Sequence, residues 1–276
     1  MPTEFVKLPT NKAIGQVNNS TFSYEIGGIL GQQLKAFGLN VDFAPVLDIN
    51  SNPKNPIIGD RSFGTNATIV SKLGIQTMKG IQAQNVLSGV KHFPGHGDTS
   101  IDSHVGLPVV YNDMKRLNSL ELIPFSEAIK SGTDMVMVAH ILLPKIDSNN
   151  PASFSKTLIT DVLRNNLNFK GVIITDDMTM GAIVKNYDIG EATVKSLNAG
   201  TDIILVCHDF VKETAVLKAI KIAVVKGTIS QQSLDEKVYR ILKLKKKYNL
   251  KDDTISFVDA KDINNKITNL LKIYMK

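Results

Sequence analysis

Val86-Leu-Ser-Gly-Val-Lys-His-Phe-Pro-Gly-His-Gly-Asp-Thr-Ser-Ile-Asp-Ser-His104 joins an apolar run to a loop crowded with reactive side chains. Val86 to Val90 reads as a strand, being short, apolar and bounded by turn-forming residues. Lys91 to His104 then carries three of the five histidines, with Asp98 and Asp102, between glycines and a proline. A strand that ends in such a loop has the form of a core element delivering chemistry at its C-terminal end.

The same alternation extends in both directions. A helix is expected from Ser23 to Phe37, because Ile26, Leu30, Leu34 and Phe37 share one face and Gly38 offers a stop, and the β-rich run Val41 to Leu47 follows. A helix over Ala67 to Gln84 precedes the quoted strand, and one over Leu120 to Lys130, ended by Gly132, precedes Met135 to Val138. Thr157 to Leu167 leads into Val172 to Ile174, and Glu191 to Asn198, with Gly200, leads into Ile203 to Val206. Two helices close the pattern, the last opening with Ser233 and Glu236 in capping-box spacing.

Apolar strands alternating with amphipathic helices predict a parallel sheet with helices outside it, either a barrel or an open doubly wound sheet. The placement of the polar residues separates the two. Asp48, Lys91 with His92, His140, Asp176 and His208 each fall just after the apolar part of a strand, so five strands converge on one polar rim, as in a TIM (β/α) barrel. A dinucleotide-binding sheet would want a G-x-G-x-x-G turn, and the sequence contains none. Five strands are fewer than a closed barrel of this class needs. The barrel domain is expected over residues 1–250. The Lys-, Asp- and Asn-rich residues 251–276 are expected to form a surface tail.

With 43% hydrophobic and 21% charged residues the chain can bury a sizeable core. The formal charge of +6 owes much to lysines of the last third such as Lys243, Lys245, Lys246 and Lys247, read as a solvated helix face. Nucleic-acid binding is not expected, since there is no Trp and little interleaving of basic with aromatic residues. The single cysteine, Cys207, excludes an internal disulfide and, after the apolar run Ile203 to Val206, is expected to be buried. No stretch is long enough to span a bilayer and the N-terminus lacks a signal-peptide pattern, so the chain as written is expected to be soluble and unexported.

Two carboxylates stand at the end of the strand Val172 to Ile174. Neighbouring residues of a strand point to opposite sides, so only one of Asp176 and Asp177 is expected to face the pocket; a helix-capping role suits Asp177 better than Asp176. Asp102 and His104 form an acid/base candidate, because an Asp on one imidazole nitrogen fixes the tautomer and leaves the other to exchange a proton near neutral pH. A metal site is the competing reading, since His92, His96, Asp98, Asp102, His104 and His140 are all ligand types. Their spacing reproduces neither a helical H-E-x-x-H nor a cysteine cluster, and Lys91 beside His92 opposes a cation, so no metal is expected. Arg61 offers forked hydrogen bonds to substrate oxygens, against a surface ion pair with Asp60.

Taken together, Phe43-Ala-Pro-Val-Leu-Asp48, Gly59-Asp-Arg-Ser-Phe-Gly64, Lys91-His-Phe-Pro-Gly-His-Gly97, Asp102-Ser-His104, Met137-Val-Ala-His140 and Thr175-Asp-Asp-Met-Thr-Met180 resemble the family 3 glycoside hydrolases, in their bacterial β-N-acetylglucosaminidase branch. The resemblance runs in order from about Leu8 to Leu250. It implies a TIM-barrel glycosidase that removes terminal β-linked N-acetylglucosamine from cell-wall (peptidoglycan) or chitin-type saccharides, with retention and without a cofactor. It further implies Asp176 as nucleophile, His104 as acid/base with Asp102 as its partner, and Asp48, Arg61, Lys91 and His92 as contacts to the sugar hydroxyls. A glucosidase of another branch is a near neighbour, disfavoured by Asp102-Ser-His104. Family members carry two further barrel strands before the first motif, which here would lie upstream of Met1, with Val6-Lys7-Leu8-Pro9 as a remnant of the second. An unclosed barrel would favour self-association or completion by an N-terminal fragment. It would also leave open a sugar- or partner-binding remnant without turnover, and an export signal lost upstream.

Overall fold

The computed structural model describes residues 4–100, 103, 106–251, 258 and 260–275. Two helices, α1 (Asn11–Val17) and α2 (Ser20–Ala36), lead into β1 (Val41–Asp42); α3 (Ala67–Ala83) precedes β2 (Leu87–Phe93). Next come α4 (Met114–Ser119), α5 (Leu122–Lys130) and β3 (Met135–Val138), then a helical segment Thr157–Asn166 and β4 (Val172–Thr175). The chain finishes with α6 (Gly181–Val184), α7 (Ile189–Ala199), α8 (Phe210–Val225), α9 (Gln231–Lys247) and α10 (Ala260–Tyr274). The strands pair in parallel in the order β1-β2-β3-β4, and Ile203 extends the sheet by a single bridge to Ile174. The architecture is a partial TIM-type (β/α) barrel.

The helix starts follow from side chains that satisfy otherwise unpaired N–H groups. Asn19 caps α2, accepting from Phe22 N at 3.0 Å, and Asn66 caps α3, accepting from Ile69 N at 3.0 Å. The outer face of the sheet packs against α2, α3 and α5 through Leu47, Val90, Val136, Ile173, Phe22, Leu73 and Phe125. Its inner face carries Met135, Met137, Val172 and Ile174, which pack with Phe43, Leu205 and, from α9, Ile241 and Leu244. Two buried carboxylates tie α9 in place. Asp134, at the start of β3, receives Lys247 Nζ at 2.5 Å and the Tyr248 hydroxyl, and Asp202 receives Arg240 Nε at 2.8 Å and Arg164. No helix among the described residues is long and apolar enough to cross a membrane.

Several elements depart from their sequence reading. Of the run Val41 to Leu47 only Val41–Asp42 pairs continuously, because Pro45 has no N–H to give; the run rejoins β2 through the Val46 to Lys91 bridge. Ile203 to Val206 forms a single bridge to β4, supplemented by Met178 N donating to Leu205 O at 2.9 Å and Leu205 N donating to Thr175 Oγ1 at 3.0 Å, and is half-buried, while Cys207 beyond it is exposed, not buried. Thr157–Asn166 is helical as expected but wound in π-helical form, with Leu167 N donating to Val162 O at 2.9 Å. The last barrel helix is capped by Ser230, which accepts from Ser233 N at 3.1 Å, so Ser233 lies inside the helix and no capping box forms.

The surface tail expected over 251–276 also needs correction. Within it α10 buries Ile263, Ile267 and Leu270 in the main core, and Tyr274 stacks on Phe22 with ring centroids 4.9 Å apart. A weak helical period hid an apolar stripe at i, i+4 and i+7 that α2 receives. Ile267 is 0% exposed. Ile267→Ala is expected to destabilise the chain by about 2–5 kcal/mol in urea unfolding, whereas a surface appendage would give about 0.5 kcal/mol or less.

Candidate active site

The site is built where β1 and β2 leave the core. Asp48 follows the buried Val46-Leu47 pair and is itself 0% exposed, so its charge must be met from within. His92 Nδ1 lies 2.6 Å from Asp48 Oδ2, and the backbone N–H of His96 donates to Asp48 Oδ1 at 2.6 Å. The N–H of His92 adds weaker contacts of 3.3 Å to both oxygens. Full burial by itself would raise the Asp48 carboxyl; the attraction and hydrogen bond of the His92 ring, with His96, outweigh it and hold the group below the ordinary Asp range. Asp48, expected as a sugar contact, has both oxygens engaged from within, Oδ2 by His92 near the end of β2 and Oδ1 by the backbone of His96 in the loop that follows, and so organises the start of that loop.

His92 passes the arrangement on to Arg61. Arg61 Nη2 is 3.3 Å from His92 Nε2, and because a guanidinium only donates, Nε2 accepts and the ring proton sits on Nδ1, facing Asp48. Asp60 pairs with Lys12 at 3.0 Å, so the surface pair of Arg61 with Asp60 is not formed. Lys91 completes the cationic edge. Burial, then the neighbouring Arg61, lowers its ammonium below the ordinary Lys value, opposed by Asp176, Asp42 and Asp48. A cleft of about 380 Å³ beside these residues is lined by Arg61, Lys91, Asp60, Pro45 and Val46 and by Leu8 to Asn11.

The loop itself is packed tightly. A Cβ on Gly97 would stand 1.7 Å from the Ile49 carbonyl oxygen, so this glycine serves close approach of the two backbones. His96 is 2% exposed, with Nδ1 2.8 Å from Thr99 Oγ1, and Asn55 donates to the His96 carbonyl at 2.8 Å. Burial, then the neighbouring His92, lowers the His96 ring below the ordinary His value. Asp102 and His104 lie outside the described residues.

Across the rim, β4 delivers Asp176. Its N–H donates to Val138 O at 2.9 Å, and Oδ1 accepts from the Asp177 N–H at 2.8 Å. Burial would raise the Asp176 carboxyl, but its polar and charged neighbours, the Asp177 N–H and Lys91 among them, outweigh it and hold the group below the ordinary Asp value. Asp177 turns the other way, as strand alternation requires. It caps no helix; it accepts from Thr179 N at 2.9 Å, Thr179 Oγ1 at 2.6 Å and Cys207 N at 3.1 Å, and so fastens β4 to the segment beyond Ile203.

The structure thus brings together Asp48, Arg61, Lys91, His92 and Asp176. Sequence reasoning missed the roles of the His96 backbone, whose N–H reaches Asp48, and of Asn55, which holds the His96 carbonyl, through a fold of the loop that no local pattern announces. Among the described residues no three of His, Cys, Asp and Glu are arranged to hold a metal ion, and the His92 and His140 ring nitrogens are all engaged by protein groups.

A family model described as the glycosyl hydrolase family 3 N terminal domain matches residues 3–244. A beta-hexosaminidase A of Pseudoalteromonas piscicida is 38% identical over 244 residues, which make up 82% of this chain and 41% of that protein. A beta-hexosaminidase of Nitrosomonas eutropha is 35% identical over 212 residues, 74% of this chain and 60% of that protein. The solved structure of a glycoside hydrolase family 3 beta-N-acetylglucosaminidase from Paenibacillus sp. strain FPU-7 superposes with a TM-score of 0.92 at 39% identity, covering 99% of this chain and 53% of that one. The chain therefore spans less than two thirds of each of these relatives.

Proposed function

Since the chain belongs to glycosyl hydrolase family 3, we propose that it hydrolyses terminal β-linked N-acetylglucosamine from cell-wall or chitin-type saccharides with retention of configuration. Asp176 is the nucleophile and His104, oriented by Asp102, the acid/base. Asp48, Arg61, Lys91 and His92 hold the hydroxyls of the terminal sugar. The observation that carries this reading is the place of Asp176 directly after β4, at the C-terminal end of the same parallel sheet whose β2 carries Lys91 and His92, with its carboxyl held below the ordinary Asp value. An ionised carboxylate there can attack the anomeric carbon and form a covalent glycosyl-enzyme, which water then hydrolyses. The acid/base role normally taken by a second carboxylate passes to a histidine.

The test is turnover of the 4-nitrophenyl glycosides. The chain should release 4-nitrophenol from the N-acetylglucosaminide in preference to the glucoside, and the reverse preference would assign it to another branch of the family. His104→Ala should cost roughly 10²- to 10⁴-fold with a poor alkyl leaving group. The cost should be far less with 4-nitrophenol, which departs without a proton. An equal loss on both substrates would remove the acid role from His104.

The edge of β1 away from β2 carries no paired strand among the described residues, and this supports a second reading in which the chain binds saccharide or a partner, or self-associates, without turnover. Activity that disappears in Asp176→Ala rejects it.

A further inference from the structure

His140 follows β3 and is 0% exposed, yet neither sugar binding nor proton transfer uses it. Its two ring nitrogens have different partners: Nδ1 is 2.8 Å from Ser153 Oγ and Nε2 is 3.1 Å from the Asp177 carbonyl oxygen. A carbonyl only accepts, so Nε2 carries a proton. Burial pushes the ring below the ordinary His value, despite the attraction of Asp176, and so favours the neutral form, in which Nδ1 accepts from the Ser153 hydroxyl. The carbonyl that His140 grips belongs to the residue whose N–H donates to Asp176 Oδ1 at 2.8 Å. With the Asp176 N–H on Val138 O, β3 holds the 176–177 segment at two points.

We propose that His140 and Ser153 are positioning residues for the nucleophile: His140, as the neutral Nε2–H tautomer, clamps the Asp177 carbonyl and so fixes the direction of the Asp176 carboxylate, while Ser153 selects that tautomer. The proposal rests on Asp176 being the nucleophile.

Long-range proton–nitrogen NMR of the imidazole in the full chain tests the protonation directly and needs no turnover. The expected spectrum at neutral pH has a protonated Nε2 and a bare Nδ1; an imidazolium or an Nδ1–H ring overturns the proposal. In kinetics, His140→Leu should lower kcat on the 4-nitrophenyl N-acetylglucosaminide on the order of 10²-fold with little change in KM, the usual cost of a misplaced reacting group. His140→Gln, whose amide N–H can reach the same carbonyl, should recover most of that loss. Equal losses in the two variants, or a loss confined to KM, would contradict the positioning role. Azide separates this proposal from the assignment beneath it. It should rescue Asp176→Ala, which lacks the nucleophile, and not His140→Leu, which keeps it. If Asp176→Ala stays fully active the nucleophile assignment fails; if it is inactive and azide-rescued while His140→Leu matches the parent, only the positioning role fails.

Discussion

Asp176→Ala is expected to lower kcat/KM on the 4-nitrophenyl N-acetylglucosaminide by roughly 10⁴-fold or more, the scale on which enzymes lose activity when a covalent nucleophile is removed. The expectation comes from the balance of forces at the site. A carboxyl buried among apolar strands would ordinarily be neutral and a poor nucleophile, but the groups arrayed around Asp176 keep it ionised. Asp176→Asn, which preserves shape and not charge, should lose nearly as much. Substitution of the adjacent Asp177 should act differently, through its ties to Thr179 and Cys207, and cost mainly stability. A variant at Asp176 within tenfold of the parent would mean that the chemistry proceeds elsewhere.

Asp48→Ala should destabilise the chain by about 3–5 kcal/mol, because it strands the donors of His92 and His96 in a dry interior. The effect should depend on pH in a defined direction. The native Asp48 carboxyl lies below its unfolded value, so its ionisation contributes stability that is complete above the ordinary Asp range and lost as the pH falls through the depressed native value. Urea unfolding of the parent and of Asp48→Asn should therefore differ most near neutrality and converge in acid. Activity should fall along with stability, since His92 and through it Arg61 lose the group that orients them. A gap between parent and variant that widened as the pH fell would contradict this account of Asp48.

The strands and helices were legible where a strong period met unambiguous stops. Met135–Val138 and the helix that ends at Lys130 are continuous apolar or amphipathic runs next to Gly132, and their C-terminal boundaries come out as read. The reading weakened where tertiary contacts decide. Residues 251–276 look polar overall, and only the groove offered by α2 turns Ile263, Ile267 and Leu270 into core. Cys207 follows an apolar run and would be buried if a further element covered that end of the sheet.

At the site, the strand-end rule found Asp48, Lys91, His92 and Asp176, because an apolar run that stops at a polar residue marks a strand's C-terminal end. What it did not give is direction. Asp48 and Asp176 share the same sequence signature, yet Asp48 is turned onto the His92 ring and the His96 backbone, whereas Asp176 Oδ1 accepts from the neighbouring Asp177 N–H. The pairing of His140 with Ser153 joins two segments with no shared local pattern, so only the fold reveals it.

The central claim is that the chain forms a covalent glycosyl-enzyme on Asp176. A fluorinated N-acetylglucosaminyl fluoride, which forms that intermediate and slows its breakdown, followed by proteolysis and mass spectrometry, tests it most directly. The account predicts one sugar per chain, attached within the peptide that contains Asp176, and no labelling of Asp176→Ala. A label on any other residue, or a product released with inverted configuration and no adduct, would contradict it.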